Sequence, residues 1–199
     1  MSKKANEIKA QKAKIITFWS LIGLATLAFI TVLIILIIET RPYTSYEDIR
    51  RDQLTLIKDQ MFNQTDTTYY VYVYNSKYPS EISAEKAHEL EPVVFNYFNF
   101  VKQNSRKEGV IKIYGFDVND FENRSCVGDT DSTTGISSFA SFSVKANSIP
   151  VLLEIVNGTV EYRHATISQI QNELQDAMDA ITTSIRHSMV IVPKQEYTF

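Results

Sequence analysis

The one side chain in this sequence able to attack through a thiolate is Cys126, set in the polar run Asn123-Arg124-Ser125-Cys126-Val127-Gly128. A guanidinium beside a thiol favours the thiolate, so with Arg124 lowering its pKa Cys126 could serve as a monothiol that forms mixed disulfides. It could equally be an incidental loop thiol, with pairing to another chain left open. A single cysteine excludes an internal disulfide and any cysteine-based zinc site. His88, His164 and His187 are too scattered to form a metal-ligand motif, so no metal and no cofactor is expected. His88 with Glu85 and Glu89 could do acid–base work, but the same residues suit a solvated helix start. A hydrolase would need a nucleophile, and no Gly-x-Ser-x-Gly elbow occurs. Tyr69, Tyr70, Tyr72 and Tyr74 could stack on a ligand. Aromatic residues are also favoured in strands, which makes core packing the expectation. Asn63, Asn123 and Asn157 each open an Asn-x-Ser/Thr sequon, meaningful only in a eukaryotic secretory host.

These residues sit in a chain of 199 with a formal charge of -3 and no basic patch interleaved with aromatics, so no nucleic-acid partner is expected. From Ile15 to Ile38 the sequence IITFWSLIGLATLAFITVLIILII carries no charge. At a rise of 1.5 Å per residue this is about 36 Å of helix, enough to cross a hydrocarbon core of roughly 30 Å. A cleaved signal would have a shorter apolar region and a small-x-small site. Here the run ends Ile37-Ile38-Glu39-Thr40-Arg41-Pro42, so an uncleaved anchor in the bilayer is the reading. Lys3, Lys4, Lys9, Lys12 and Lys14 precede the span, and only Arg41, Arg50 and Arg51 follow it. Positive flanks stay cytoplasmic, which puts residues 1–14 inside and residues 39–188 outside the cell membrane, with 189–199 as a tail. Thr17, Ser20, Thr26 and Thr31 are expected to bond back to their own helix.

The soluble part must then supply the scaffold. Ser45 to Met61 reads as a helix on Ile49, Leu56, Ile57 and Met61, capped by Ser45 with Asp48. Thr68 to Tyr74 (TYYVYVY) is a buried strand. Leu90, Val93, Val94, Tyr97, Phe98 and Val101 mark one face of a helix over 83–104, with Pro92 inside it. Val110 to Val118 is a second strand, and residues 119–137 read as a long polar loop. A short helix is expected over 138–144. VLLEIV, Asn157-Gly158 and TVEYR predict a hairpin on a type I′ turn. Thr166 opens a last helix whose apolar face runs through Ile167, Ile170, Leu174, Met178, Ile181 and Ile185.

Helix, strand, helix, strand, short helix, hairpin, helix resembles the order of a thioredoxin-like fold: α/β, a central mixed sheet flanked by helices. Three segments carry the resemblance. Ser143 to Pro150 followed by VLLEIVNGTV looks like the stretch before the family's cis-proline and its hairpin. Gly115-Phe116-Asp117-Val118-Asn119 looks like its central strand and turn, and Glu89-Leu90-Glu91-Pro92 like the turns after its catalytic motif. Within the family the chain most resembles membrane-anchored proteins of Gram-positive bacteria, including bacteriocin transport accessory proteins. The resemblance implies two active-site cysteines five and eight residues before the kinking proline. Those positions are Ala87 and Ala84, so the motif reads Ala84-Glu85-Lys86-Ala87. The family's buried acid would fall near Tyr72 and is missing too.

Thiolate attack needs a thiol, so dithiol oxidoreductase chemistry is excluded and the chain is not expected to be an enzyme. What the resemblance leaves is a peptide-binding loop at Ile149 and Pro150, beside Ala84–Ala87. The expected function is a membrane-tethered, redox-inactive adaptor or holdase for an extracytoplasmic protein or peptide. Two alternatives stay open: a monothiol oxidoreductase using Cys126, and a structural subunit of a membrane complex.

Overall fold

The structure is a computed structural model that describes residues 2–77 and 81–190. The chain divides after Pro42 into two compact units. The first is a single helix, α1, Ser2–Thr40, within which Lys14–Ile38 is long and apolar enough to cross a membrane. None of that window is buried. Water would gain nothing from such a surface, and a bilayer would cover it. Thr26 and Thr31 donate to the carbonyls of Ile22 and Leu27, each at 2.9 Å, so these two hydroxyls are satisfied within the helix as expected.

The second unit is α/β. Its four-stranded sheet has the order β2-β1-β5-β6, from β1 (Thr68–Tyr74), β2 (Lys112–Asp117), β5 (Val151–Val156) and β6 (Thr159–His164). β1 runs parallel to β2 and antiparallel to β5, and β5 pairs antiparallel with β6. Parallel neighbours need a long crossover, and α3, Glu81–Asn104, supplies it between β1 and β2. A two-residue pair, β3 (Val127–Gly128) with β4 (Val144–Lys145), forms a separate small sheet. The hairpin turns at Asn157 (φ 50°) and Gly158 (φ 76°), both left-handed, as a type I′ turn requires.

The period-two alternation of β1 sorts its side chains between two cores. Tyr70, Tyr72 and Tyr74 join Leu90, Val94, Tyr97 and Phe98 of α3 and Ile170 and Leu174 of α4 (Ile167–Val190). Val71 and Val73 face the other way, onto Phe116, Phe142, Val151, Leu153 and Ile155. The predicted face of α3 packs as read, and so does that of α4 through Ile181; the Ile185 side chain lies outside the described residues.

The helix predicted over 45–61 is corrected. α2 spans only Tyr46–Arg51, capped by Ser45 Oγ, which accepts from Asp48 N at 3.3 Å. Gln53 then takes φ 58°, and Thr55 forms a parallel bridge beside Gly115 before a 3-10 turn at Lys58–Met61. The reason lies in the apolar residues themselves. Ile49 belongs to the tyrosine-lined core, whereas Leu56 and Met61 belong to the opposite one. One helix cannot bury residues on both sides of a sheet, so the chain unwinds and passes the β2 edge. The short helix predicted near 138–144 is a 3-10 turn, Phe139–Ser141, followed by β4. α4 continues through Val190, so Met189 and Val190 of the predicted tail are helical; the rest of that tail lies outside the described residues.

Candidate functional site

The first turns of α3 and the loop before β5 meet at one end of the sheet. The Ile149-Pro150 peptide bond is cis, as the resemblance implied. Lys86 spans the gap between the two segments: its Nζ donates to Ser148 O at 3.0 Å and to Pro150 O at 2.5 Å. Ala84-Glu85-Lys86-Ala87 is thus beside the cis-proline. Ala87 is 1% exposed and Ala84 half-buried, so the two small side chains let the helix close on the loop.

Ile149 and Pro150 are not the open surface that a peptide-binding pair would present. Both are buried, and the Ile149 side chain belongs to the apolar core with Val73-facing Val151 and Phe116. Lys86 already holds the nearby carbonyls. Burial, reinforced by the Arg163 cation and opposed by Asp131, pushes the Lys86 ammonium down to about 8.

Asp131 organises the other side of this loop. Its carboxylate accepts from Lys145 N at 2.9 Å, Ser148 Oγ at 2.8 Å and Arg163 Nη2 at 3.3 Å. Burial works against its ionisation, but those hydrogen bonds and the Arg163 charge outweigh it and hold the carboxyl below its ordinary value. Asp131, Ser148 and Arg163 did not stand out in the sequence, because the loop before β4, the 3-10 turn after it and β6 bring them together only in the fold. Outside Lys86, a shallow depression is lined by Glu85, Glu89, Ala165, Thr166 and Ile167.

The other candidates separate. Cys126 is 1% exposed and packs with Leu56, Phe142 and Val144. Burial pushes its thiol up to about 12, the reverse of the lowering expected from Arg124. Arg124 Nε instead donates to Asn119 O at 2.9 Å. The residue that shapes this turn is Asn123, which is fully buried. Its Oδ1 accepts from Lys58 N at 2.9 Å, and its Nδ2 donates to Leu56 O at 3.1 Å and Asp117 O at 3.0 Å. A sequon asparagine so enclosed is a structural clamp. His88 lies 3.5 Å from Glu91 and is mostly exposed, so it does not gather Glu85 and Glu89 into an acid–base cluster. Tyr69, Tyr70, Tyr72 and Tyr74 are all core residues. Compared with protein-family models and with curated proteins, the sequence finds no match to either.

Proposed function

We propose that the unit from Tyr43 onward is a thioredoxin-like domain without redox thiols, tethered by α1 at the outer face of a membrane, and that it binds an extended protein segment at the cis-proline end of its sheet. The element order and the cis Ile149-Pro150 bond support the thioredoxin-like reading. The lysine-rich flank before the apolar window supports the orientation. The observation that carries the binding role is Lys86. At the degenerate motif, one flexible ammonium occupies the main-chain carbonyls of Ser148 and Pro150. A strand-like ligand pairs with such groups and needs no cysteine. It reaches them once Lys86 swings aside, with the rim at Ala84, Glu85 and Thr166 as its first contact. Cys126, enclosed and held as a thiol, is a poor basis for the monothiol alternative.

The test uses the full chain in intact cells. A photo-crosslinking residue at Glu85 should give adducts of defined mass, and one at exposed Gln175 on α4 should give none. Ala84→Trp should abolish the Glu85 adducts and Lys86→Ala should strengthen them. Identical adducts from both positions, or indifference to Ala84→Trp, would remove the reading. Protease added outside should digest the domain; full protection would reverse the orientation.

A further inference from the structure

The face of the sheet under α4 carries a group of ionisable side chains at positions that would ordinarily be apolar. Glu154 on β5 lies opposite Tyr70 on β1 and Tyr162 on β6, and His164 lies opposite Leu152, two residues along β5 on the same face. α4 brings Glu173 down between Ile170 and Leu174 onto this spot. One carboxylate oxygen from each glutamate and one imidazole nitrogen all lie within 4.8 Å of one another.

Two observations show that the chain does not satisfy this cluster by itself. The His164 Nε2 atom is hidden from water and has no hydrogen-bond partner; Glu173 Oε2 is 3.7 Å away. Among the described residues no Lys or Arg pairs with Glu154 or Glu173, so two carboxylates face one imidazole. Glu173, in contrast, is aimed: Tyr70 Oη donates to its Oε1 at 2.5 Å, leaving Oε2 turned toward His164. A hydrogen-bonded carboxylate with one oxygen left over is the arrangement that orients a metal ligand.

We propose that Glu154, His164 and Glu173 bind one divalent transition-metal ion of the zinc class. One imidazole nitrogen with two carboxylates suits Zn²⁺ or its neighbours better than Mg²⁺ or Ca²⁺, which prefer all-oxygen shells. Bonds of about 2.0–2.2 Å about a tetrahedral ion set ligand atoms roughly 3.4 Å apart. The three side chains therefore close by at most about 1.4 Å around the ion, a change within rotamer freedom on three separate elements. A fourth position is left for water or for a group from a partner. The site is three register steps along β1 from the Val73–Val151 pair beside the cis-proline, and it stands or falls independently of peptide binding there.

The untagged full chain, purified in detergent and stripped with a chelator, is titrated with ZnCl₂ by calorimetry and with Co²⁺ by absorption. One equivalent should bind with saturation, raise the Tm and give a Co²⁺ d–d band. His164→Gln and Glu154→Gln should each weaken binding about 100-fold or more, and Tyr70→Phe, which acts only through Glu173, about 10-fold. His88→Gln, which serves as the control, should leave it unchanged. Circular dichroism of each variant separates loss of the site from loss of the fold. No saturable binding in the micromolar range, or binding equal in wild type, His164→Gln and Glu154→Gln, would overturn the proposal and leave the cluster as a histidine–carboxylate ion pair.

Discussion

Tyr70 and Val71 are adjacent on β1 and face different interiors. On the Val71 side aliphatic and phenylalanine side chains, with Tyr69 among them, fill the space, closed over by 3-10 turns and loops. On the Tyr70 side two long helices cover a floor of tyrosines, where Tyr70 Oη donates to Glu173 and, from α3, Tyr97 Oη donates to Ile111 O at 2.8 Å. The first face is held by dispersion and exclusion of water, so its stability depends on volume and little on pH. The second is held in part by groups that titrate, so it answers to pH and to ions. One strand, alternating Tyr and Val from Tyr70 to Tyr74, builds both.

The largest effect should come from the dry face. Leu153→Ala removes a fully buried side chain and should cost about 2–5 kcal/mol in chemical denaturation, nearly insensitive to pH. Asn123→Ala, at a polar clamp on that side, strands Lys58 N and Leu56 O, whereas Asp117 O keeps Asp120 N as a donor. At about 1 kcal/mol or more for each abandoned group, roughly 2 kcal/mol should be lost, and the loss should not be recovered by Asn123→Leu. On the helical face Tyr70→Phe keeps the ring and loses only the bond to Glu173, which should cost about 1.5–3 kcal/mol. A cost equal to that of Leu153→Ala would erase the contrast between the faces.

Alkaline titration sharpens the same comparison. Burial raises the phenols of Tyr70, Tyr74 and Tyr97 above their ordinary 10.0, and the Glu173 or Asp117 charge adds to it. Above pH 10 the unfolded chain loses these protons while the folded chain keeps them, so stability should fall as pH rises, with phenolate absorbance appearing together with unfolding. The smallest effect is opposite in sign. Lys86 sits at about 8 in the fold against 10.5 when exposed, so between those values the unfolded state holds the extra proton. Its contribution to stability should rise with pH across that window, by a modest amount because the group is only partly buried. Lys86→Met should flatten the profile there.

Much of the fold was legible because its signals are local. TYYVYVY is a strand by composition, Asn157-Gly158 is a turn by its permitted φ, and the apolar spacing in α3 and α4 is helical wherever it is packed. The 45–61 segment failed because its apolar residues serve two cores, which no one-dimensional pattern reports. Part of the candidate site was legible: Ala84 and Ala87 were expected beside Ile149-Pro150, whose bond is cis. What was not legible is what bridges the two segments. The reach of Lys86 across to Ser148 and Pro150, the Asp131 brace and the Glu154–His164–Glu173 group all join residues on separate elements that no local pattern connects. Cys126 misled for a related reason, since a polar neighbourhood in sequence says nothing of the apolar wall behind it.

That walled-in thiol has a practical corollary. With no second thiol in the sequence and almost none of its own surface offered to reagents, Cys126 is a built-in clock for breathing motions: a thiol-specific dye can label it only during moments when the Leu56–Phe142–Val144 packing comes apart. The labelling rate of the unaltered polypeptide would then measure how often that half of the domain opens, and how far any bound ligand slows it.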